Sequence, residues 1–305
     1  MKYLKIAATV CASALALSAC GSTNTPENDG TESSAAAKIT ATDLSHVTKD
    51  DTIAALIPEA VSKDGKLTVG DNIYYAPAEF YAEDGKTPQG FDIDLAKALA
   101  KKMGLEADIQ QAEFSTIIPG IGSKYEVGIS AFTITPERLE VVDMIQYFED
   151  GNAWSVAKGN PKGFDPANKC GKAIGVQTGT WQDEMLTEAN EAGGECEKDP
   201  ITLQRFDTQS QVTTTLAGGQ IDAMFSDNSV AEYASKITNG STETFGAPSD
   251  IAGRGIAVAK KDKELTKATQ AALQSLIDDG TLAKIFETWG ITTGVSTEAV
   301  LNPNA

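Results

Sequence analysis

Between residues 65 and 289 short apolar runs alternate with helical repeats, and that alternation is what most limits the fold. "KLTVGD" reads as a strand and "GFDIDLAKALAKKMGL" as a helix. In the latter, Leu95, Leu99 and Met103 recur every four positions and Gly104 is placed to end the helix. "FSTIIPGIGS" reads as a short helical turn, "EVGISAF" as a strand, and "TPERLEVVDM" as a helix opened by a Thr-Pro pair. Farther on, "AWSVAKG", "KAIGVQ", "QIDAMFS" and "GIAVAK" read as strands. Among them lie helices over "TWQDEMLTEANEAG", "NSVAEYASKITNG", "KELTKATQAALQSLIDDG" and "TLAKIFETWG". Such alternation implies an α/β fold of mostly parallel sheets with helices on both faces. The chain has 305 residues, long for one such sheet, so two lobes of about 100 residues each are expected.

The N-terminus carries a different signal. "MKYLKIAATVCASALALSAC" has Lys2 and Lys5 followed by an uncharged stretch to Leu17, the layout of a secretory signal and too short for a spanning helix. It closes on Leu17-Ser18-Ala19-Cys20, which resembles a bacterial lipobox. Residues 1–19 are then a lipoprotein signal peptide, and Cys20 becomes the acylated (palmitate-bearing) first residue of the mature chain. Residues 20–50 follow as the lipidated Cys and a flexible tether, rich in Ser, Thr, Gly and acids. A coil of about 25 residues reaches on the order of 25–30 Å, enough to hold a domain just off a membrane. These features place the protein outside the cytoplasm, lipid-anchored to the bacterial cell membrane.

With Cys11 removed and Cys20 acylated, Cys170 and Cys196 remain, and in an exported chain they are expected to pair as a disulfide. The single histidine, His46, lies far upstream and no ligand cluster exists, so no metal and no cofactor are expected. The formal net charge of -18 argues against a nucleic-acid partner, which wants a basic face.

Ligands of open α/β sheets sit where strands end and helices begin, and three such junctions stand out. In "TITPER", Thr135 is the expected N-cap and Arg138 falls in the first helical turn, where the helix dipole disfavours a base. An anion bound there would reverse the sign; otherwise Arg138 pairs with Glu137, Glu140 or Asp143 on a solvated face. In "GVQTGTWQDE", Thr180 and Asp183 form a capping-box-like start, read either as ordinary capping or as an anion-friendly helix end. In "MFSDNSVAEY", Asp227 ends a strand, read either as an N-cap or as a holder of an ammonium group. Together the three junctions complement a zwitterion, with Tyr75 and Phe114 available to wall in a side chain.

The sequence resembles the solute-binding proteins of polar amino-acid ABC transporters, family 3 type. The resemblance runs over residues 65–289 and rests on "GKLTVGDNIYYAPAEF", "GFDIDLAKALAKKMG", "FSTIIPGI", "TITPER", "GVQTGT", "GGQIDAMFSD", "GIAVAKKDKEL" and "LIDDGTLAKIFETWGI". It implies a two-lobed periplasmic-binding-protein type II fold with two crossover hinge strands, near "DGNAWS" and "APSDIAG". Lobe 1 is expected over residues 51–151 plus 249–305 and lobe 2 over 152–248. By the resemblance, Arg138 and Thr133 hold a ligand carboxylate, helped by Thr180 and its neighbours. Asp227 takes the ammonium, Tyr75 and Phe114 flank the side chain, and Ser130 and Ala131 add contacts.

Asn72 stands where members that take basic ligands often have an acid. With Gln177 and Ser226 it suggests a neutral polar ligand such as glutamine. Arg205 pulls towards an acidic ligand, ranked second, and Glu113 towards a basic one, ranked third. Trp181 shrinks the pocket or stacks. The implied activity is capture between the lobes and delivery to an ABC permease, without chemistry. Two other readings stay open: a sensor lipoprotein, and a dehydratase-like enzyme with Glu113 as its acid.

Overall fold

In the computed structural model the described residues are 41–303. The signal segment, Cys20 and most of the expected tether lie outside them. Helices α1 (Asp51–Ala54) and α2 (Glu59–Ser62) lead into strand β1 (Lys66–Asp71). A small antiparallel meander of β2 (Tyr74–Tyr75), β3 (Glu79–Tyr81) and β4 (Pro88–Gln89) follows. Next come α3 (Phe91–Met103), β5 (Glu106–Gln111), α4 (Phe114–Gly120), β6 (Val127–Gly128) and α5 (Pro136–Val141). The long β7 (Val142–Ala157) leads to β8 (Ala173–Gln177), α6 (Trp181–Asn190), β9 (Thr202–Phe206), α7 (Gln209–Ala217), β10 (Ala223–Asp227) and α8 (Asn228–Ile237). The equally long β11 (Thr242–Ala259) returns to α9 (Lys263–Asp278) and α10 (Thr281–Thr288).

The strands lie in the order β5-β1-β6-β11-β7-β10-β8-β9. β5-β1-β6 are parallel to one another, and so are β10-β8-β9; β7 and β11 run antiparallel to their neighbours and join these halves. Each half-sheet carries apolar clusters with helices on both faces. Leu67, Val69, Leu95, Leu99 and Phe286 pack on one side of the first half, and Ile117, Phe132 and Met144 on the other. Val176, Leu186 and Phe225 pack on one side of the second half, and Val212, Leu216 and Met224 on the other. This is the two-lobed type II arrangement. The β7–β11 pairing slips in register around Ser249, Ala252 and Arg254, opposite Asn152, Asp150 and Phe148, so the ladder is interrupted midway between the lobes.

Helix α3 matches its pattern and ends where Gly104 adopts φ 73°, the left-handed conformation glycine takes without strain. Cys170 and Cys196 are bridged, with Cα atoms 5.2 Å apart, wholly within the second half.

Three segments depart from the sequence pattern. "EVGISAF" pairs only at Val127–Gly128; beyond it the chain leaves the sheet, with Ala131 at φ 44°. "TPERLEVVDM" is helical only to Val141, because Val142 onward is claimed by pairing with β11. Residues 42–50, assigned to the tether, pack on the first lobe: Thr42 N donates to Asp94 Oδ2 at 2.8 Å, and Leu44 and Val47 are buried.

Candidate ligand-binding site

Helix α5 is only one and a half turns long, so its dipole is small and the Arg138 side chain itself must attract any anion. Thr135 caps the helix, its hydroxyl accepting from Arg138 N at 3.3 Å. The guanidinium then folds back into the space between the lobes. Nη1 donates to Thr133 O at 2.9 Å, and Nη2 donates across the cleft to Gly179 O at 3.2 Å. Its carbon lies 5.7 Å from the centroid of Phe114, which stacks on Phe132. Arg138 is 8% exposed, and Glu184 lies 3.7 Å from it. Asp143, a candidate surface partner, is engaged instead by Lys263 and Asn302. Burial lowers the Arg138 pKa from its ordinary value, with Glu184 pulling the other way.

At the second junction the capping reading holds. The Thr180 hydroxyl accepts from Asp183 N at 3.2 Å, while Asp183 Oδ2 accepts from Gly179 N at 2.9 Å. Gly179 sits at φ 76°, and a Cβ there would lie 2.9 Å from Ser115 Cβ of the other lobe, so only glycine lets the lobes approach this closely. At the third junction Asp227 starts α8 but makes no side-chain cap bond. Its Oδ1 accepts from Arg254 Nη2 at 2.8 Å and from Gln182 Nε2 at 2.6 Å, and its Oδ2 accepts from Arg254 Nε at 3.1 Å. The Asp227 N–H donates to the Tyr75 hydroxyl of the other lobe at 3.4 Å.

These groups converge. Tyr75, Phe114, Ser130, Ala131, Thr133, Arg138, Thr180, Trp181 and Asp227 line one cavity together with Gln182, with a volume of about 10 Å³, room for about one water molecule. That is below the ~300–1,000 Å³ of common ligand pockets, so the lobes are closed tightly over it. Trp181 also borders a larger, more open cleft beside the hinge strands. Asn72 and Gln177 stand outside the lining: Gln177 Nε2 donates to Asn72 Oδ1 at 2.9 Å across the cleft, and Gln177 Oε1 is buried without a partner. The Ser226 hydroxyl donates to Asp227 O. Arg205 is tied to Asp183 and Thr187, and Glu113 is exposed on the α4 cap, so neither borders the cavity.

A model of the bacterial extracellular solute-binding proteins, family 3, matches residues 67–292. The chain belongs to this family. Among its members, the arginine-binding protein ArgT of Corynebacterium glutamicum is 35% identical over 252 residues, covering 82% of this chain and 82% of ArgT. An ancestral arginine-binding protein solved with arginine bound is 36% identical with a TM-score of 0.68, over 74% of this chain and 98% of that one. An ancestral arginine-binding protein bound to glutamine has a TM-score of 0.67 at the same identity, over 74% and 97% of the two chains. This solute-binding protein therefore shares its family with binding components of amino-acid ABC transporters.

Behind the Ser130–Ala131 wall the family 3 protein buries three acids, Asp71, Glu79 and Asp92, each fully shielded from solvent. Ser130 Oγ donates to Glu79 Oε1 at 2.7 Å, and Ala131 N and the Tyr147 hydroxyl both donate to Asp92 Oδ2. Both Asp71 oxygens, Glu79 Oε2 and Asp92 Oδ1 have no hydrogen-bond donor. Burial, reinforced by mutual repulsion, pushes Asp71 and Glu79 well above the usual carboxylate range. Burial likewise raises Asp92 to about 7, despite the bonds from Ala131 and Tyr147. Sequence reasoning passed over this cluster, Gln182 and Arg254. Arg254 had a visible signal: an arginine in the apolar run "IAGRGIAVA" must find a buried acid if the strand is internal.

Proposed function

We propose that this protein captures a free amino acid between its lobes and hands it, unaltered, to an ABC permease. One observation carries the reading: Arg138 is a nearly buried cation whose side chain donates hydrogen bonds only to carbonyl oxygens, with the half-exposed Glu184 standing off at 3.7 Å, in a cavity that also holds the carboxylate of Asp227. Its charge favours an anion more strongly than those carbonyls can satisfy. A zwitterionic head group supplies a carboxylate to Arg138 and Thr133 and an ammonium to Asp227. Tyr75, Phe114 and Trp181 then enclose the aliphatic part, with Ser130, Ala131 and Thr180 around the head group and Asn72 and Gln177 at the side-chain end.

The side chain is one that donates hydrogen bonds. Gln177 Oε1 is a buried acceptor in want of a donor, and a carboxamide or a guanidinium answers that want. Arginine-binding relatives favour the guanidinium. The engagement of Arg205 by Asp183 removes the reason for an acidic ligand.

Lobe 1 comprises residues 51–151 and 249–305, extended by the packed 42–50, and lobe 2 residues 152–248. Opening turns on β7 and β11 where their register slips, and a ligand that binds the closed form better shifts the population towards it. A lipid at Cys20 holds the protein at the membrane; mass spectrometry of the mature N-terminus tests that part.

Isothermal titration of ligand-stripped protein against the twenty amino acids tests capture. The expected result is one-to-one binding by an amino acid with a donating side chain, recovered unchanged after release. Silence across the panel from folded protein defeats the reading, and recovery of a dehydrated product points to an enzyme.

A further inference from the structure

The carboxylate assigned to a ligand's ammonium already has a partner. Arg254, on β11, has 0% of its surface exposed, and its Nη2 and Nε hold the two oxygens of Asp227 at 2.8 and 3.1 Å while Nη1 donates to Ala252 O at 3.0 Å. Gln182 Nε2 adds a bond of 2.6 Å to Oδ1. Of the roughly four lone-pair positions on a carboxylate, three are thus filled from within the protein, and one is left for a ligand. The neighbouring acid, Asp150, is satisfied separately, its oxygens accepting from Gly151 N at 2.9 Å and Ser229 N at 3.1 Å. Burial alone would lower the Arg254 pKa, but Asp227 and Asp150 outweigh it and hold the guanidinium above its ordinary value, charged throughout.

Were Asp227 unpaired, any ligand lacking an ammonium would close the lobes over a lone buried charge, weakening binding by about a hundredfold or more. The Arg254 fork removes that penalty. We propose that the site accepts a second class of ligand: carboxylates without the α-ammonium, meaning α-oxo, α-hydroxy and simple deaminated acids that carry the side chain of the captured amino acid. Arg138 holds their carboxylate while Arg254 keeps Asp227 paired, and the missing ammonium costs one hydrogen bond, about tenfold in affinity. The proposal rests on the amino-acid reading of the same cavity.

The test is isothermal titration of the full-length, ligand-stripped protein with two matched pairs. These are L-arginine with δ-guanidinovalerate, and L-glutamine with glutaramate, the second member of each lacking only the α-amino group. In the wild type the deaminated acid of the binding pair is expected within about tenfold of its amino acid. In R254Q the ratio should widen to about a hundredfold or more, with folding checked by circular dichroism. A wild-type ratio above about a hundredfold, or one that R254Q leaves unmoved, overturns the proposal while the amino-acid reading stands. If R254Q does not fold, the wild-type ratio decides alone. Failure of both pairs to bind strikes the amino-acid reading and this proposal with it.

Discussion

Arg138 and Asp227 face one cavity from opposite lobes, and each has a charged partner, but only that of Asp227 is hydrogen-bonded to it. The Arg138 guanidinium rests on two carbonyl oxygens, with Glu184 at 3.7 Å. Asp227 is gripped by the Arg254 fork and by Gln182. Neutral acceptors leave most of a buried charge uncompensated, whereas a bidentate ion pair compensates it within the protein. On the proposed reading, Arg138 is therefore built for affinity, and the Asp227–Arg254 pair for holding the lobes and strands in place.

The sharpest break of that contrast is at Arg138. Arg138→Ala should lower ligand affinity by about a thousandfold, read by titration, while leaving the melting curve close to wild type. Equal losses of affinity in Arg138→Ala and Asp227→Asn would erase the distinction between the two ends.

Stability should respond in the opposite order. Arg254→Met strands the Asp227 carboxylate in the interior and should lower the unfolding free energy by about 3–5 kcal/mol in urea denaturation. Adding Asp227→Leu should recover most of that loss, since replacing both members of a buried pair with apolar groups is far milder than removing one.

Acidity provides a third comparison. Asp92 is pushed up to about 7 and Asp150 to about 6, in both cases first by burial, above an ordinary value of 3.8. The folded chain thus holds more protons than the unfolded one in this window. The stability these groups contribute is full below about pH 4 and is lost as pH rises through about 6 to 7. Asp92→Asn, which stays neutral, should flatten the fall in melting temperature between about pH 4 and 7, an effect on the order of a few kcal/mol. Identical pH profiles for the variant and the wild type would show that Asp92 is not protonated in the fold.

The smallest effect is at the caps. Thr135→Ala and Thr180→Ala should each cost about 1 kcal/mol of unfolding free energy, because each hydroxyl accepts one helix N–H. A thermal scan in which one of them costs several times more would show that its hydroxyl holds more than the cap.

The fold was legible where burial is two-sided or periodic. β1 and α3 follow their patterns, and the strand-to-helix junctions carry Arg138, Thr180 and Asp227, which line one cavity. Strands β5 and β9 escaped notice because they are sheet edges, where "EADIQQ" and "TLQRF" show little apolar alternation. Helix α7 escaped because "QSQVTTTLA" is threonine-rich; a capping box of Thr208 with Gln211 and burial of Val212 and Leu216 hold it helical. The Arg254–Asp227 pair lay beyond local pattern. Its members are 27 residues apart and meet only when β11 crosses between the lobes. The Asn72–Gln177 bond joins residues 105 apart across the cleft, again beyond any local pattern.

The long excursion between β7 and β11 also sets an order of assembly. The first lobe cannot complete its sheet until Ala257 and Val258 arrive to pair with Gly128 and Val127, which left the ribosome well over a hundred residues earlier. Everything from β8 to α8 must be made in between. The second lobe's strands and helices are near neighbours in sequence, so they can assemble while the first lobe still waits, with its apolar β6 edge unpaired. The lobe whose sheet begins first along the chain is thus the part that finishes last, and a chain exported before completion would present that open edge to whatever keeps it from aggregating.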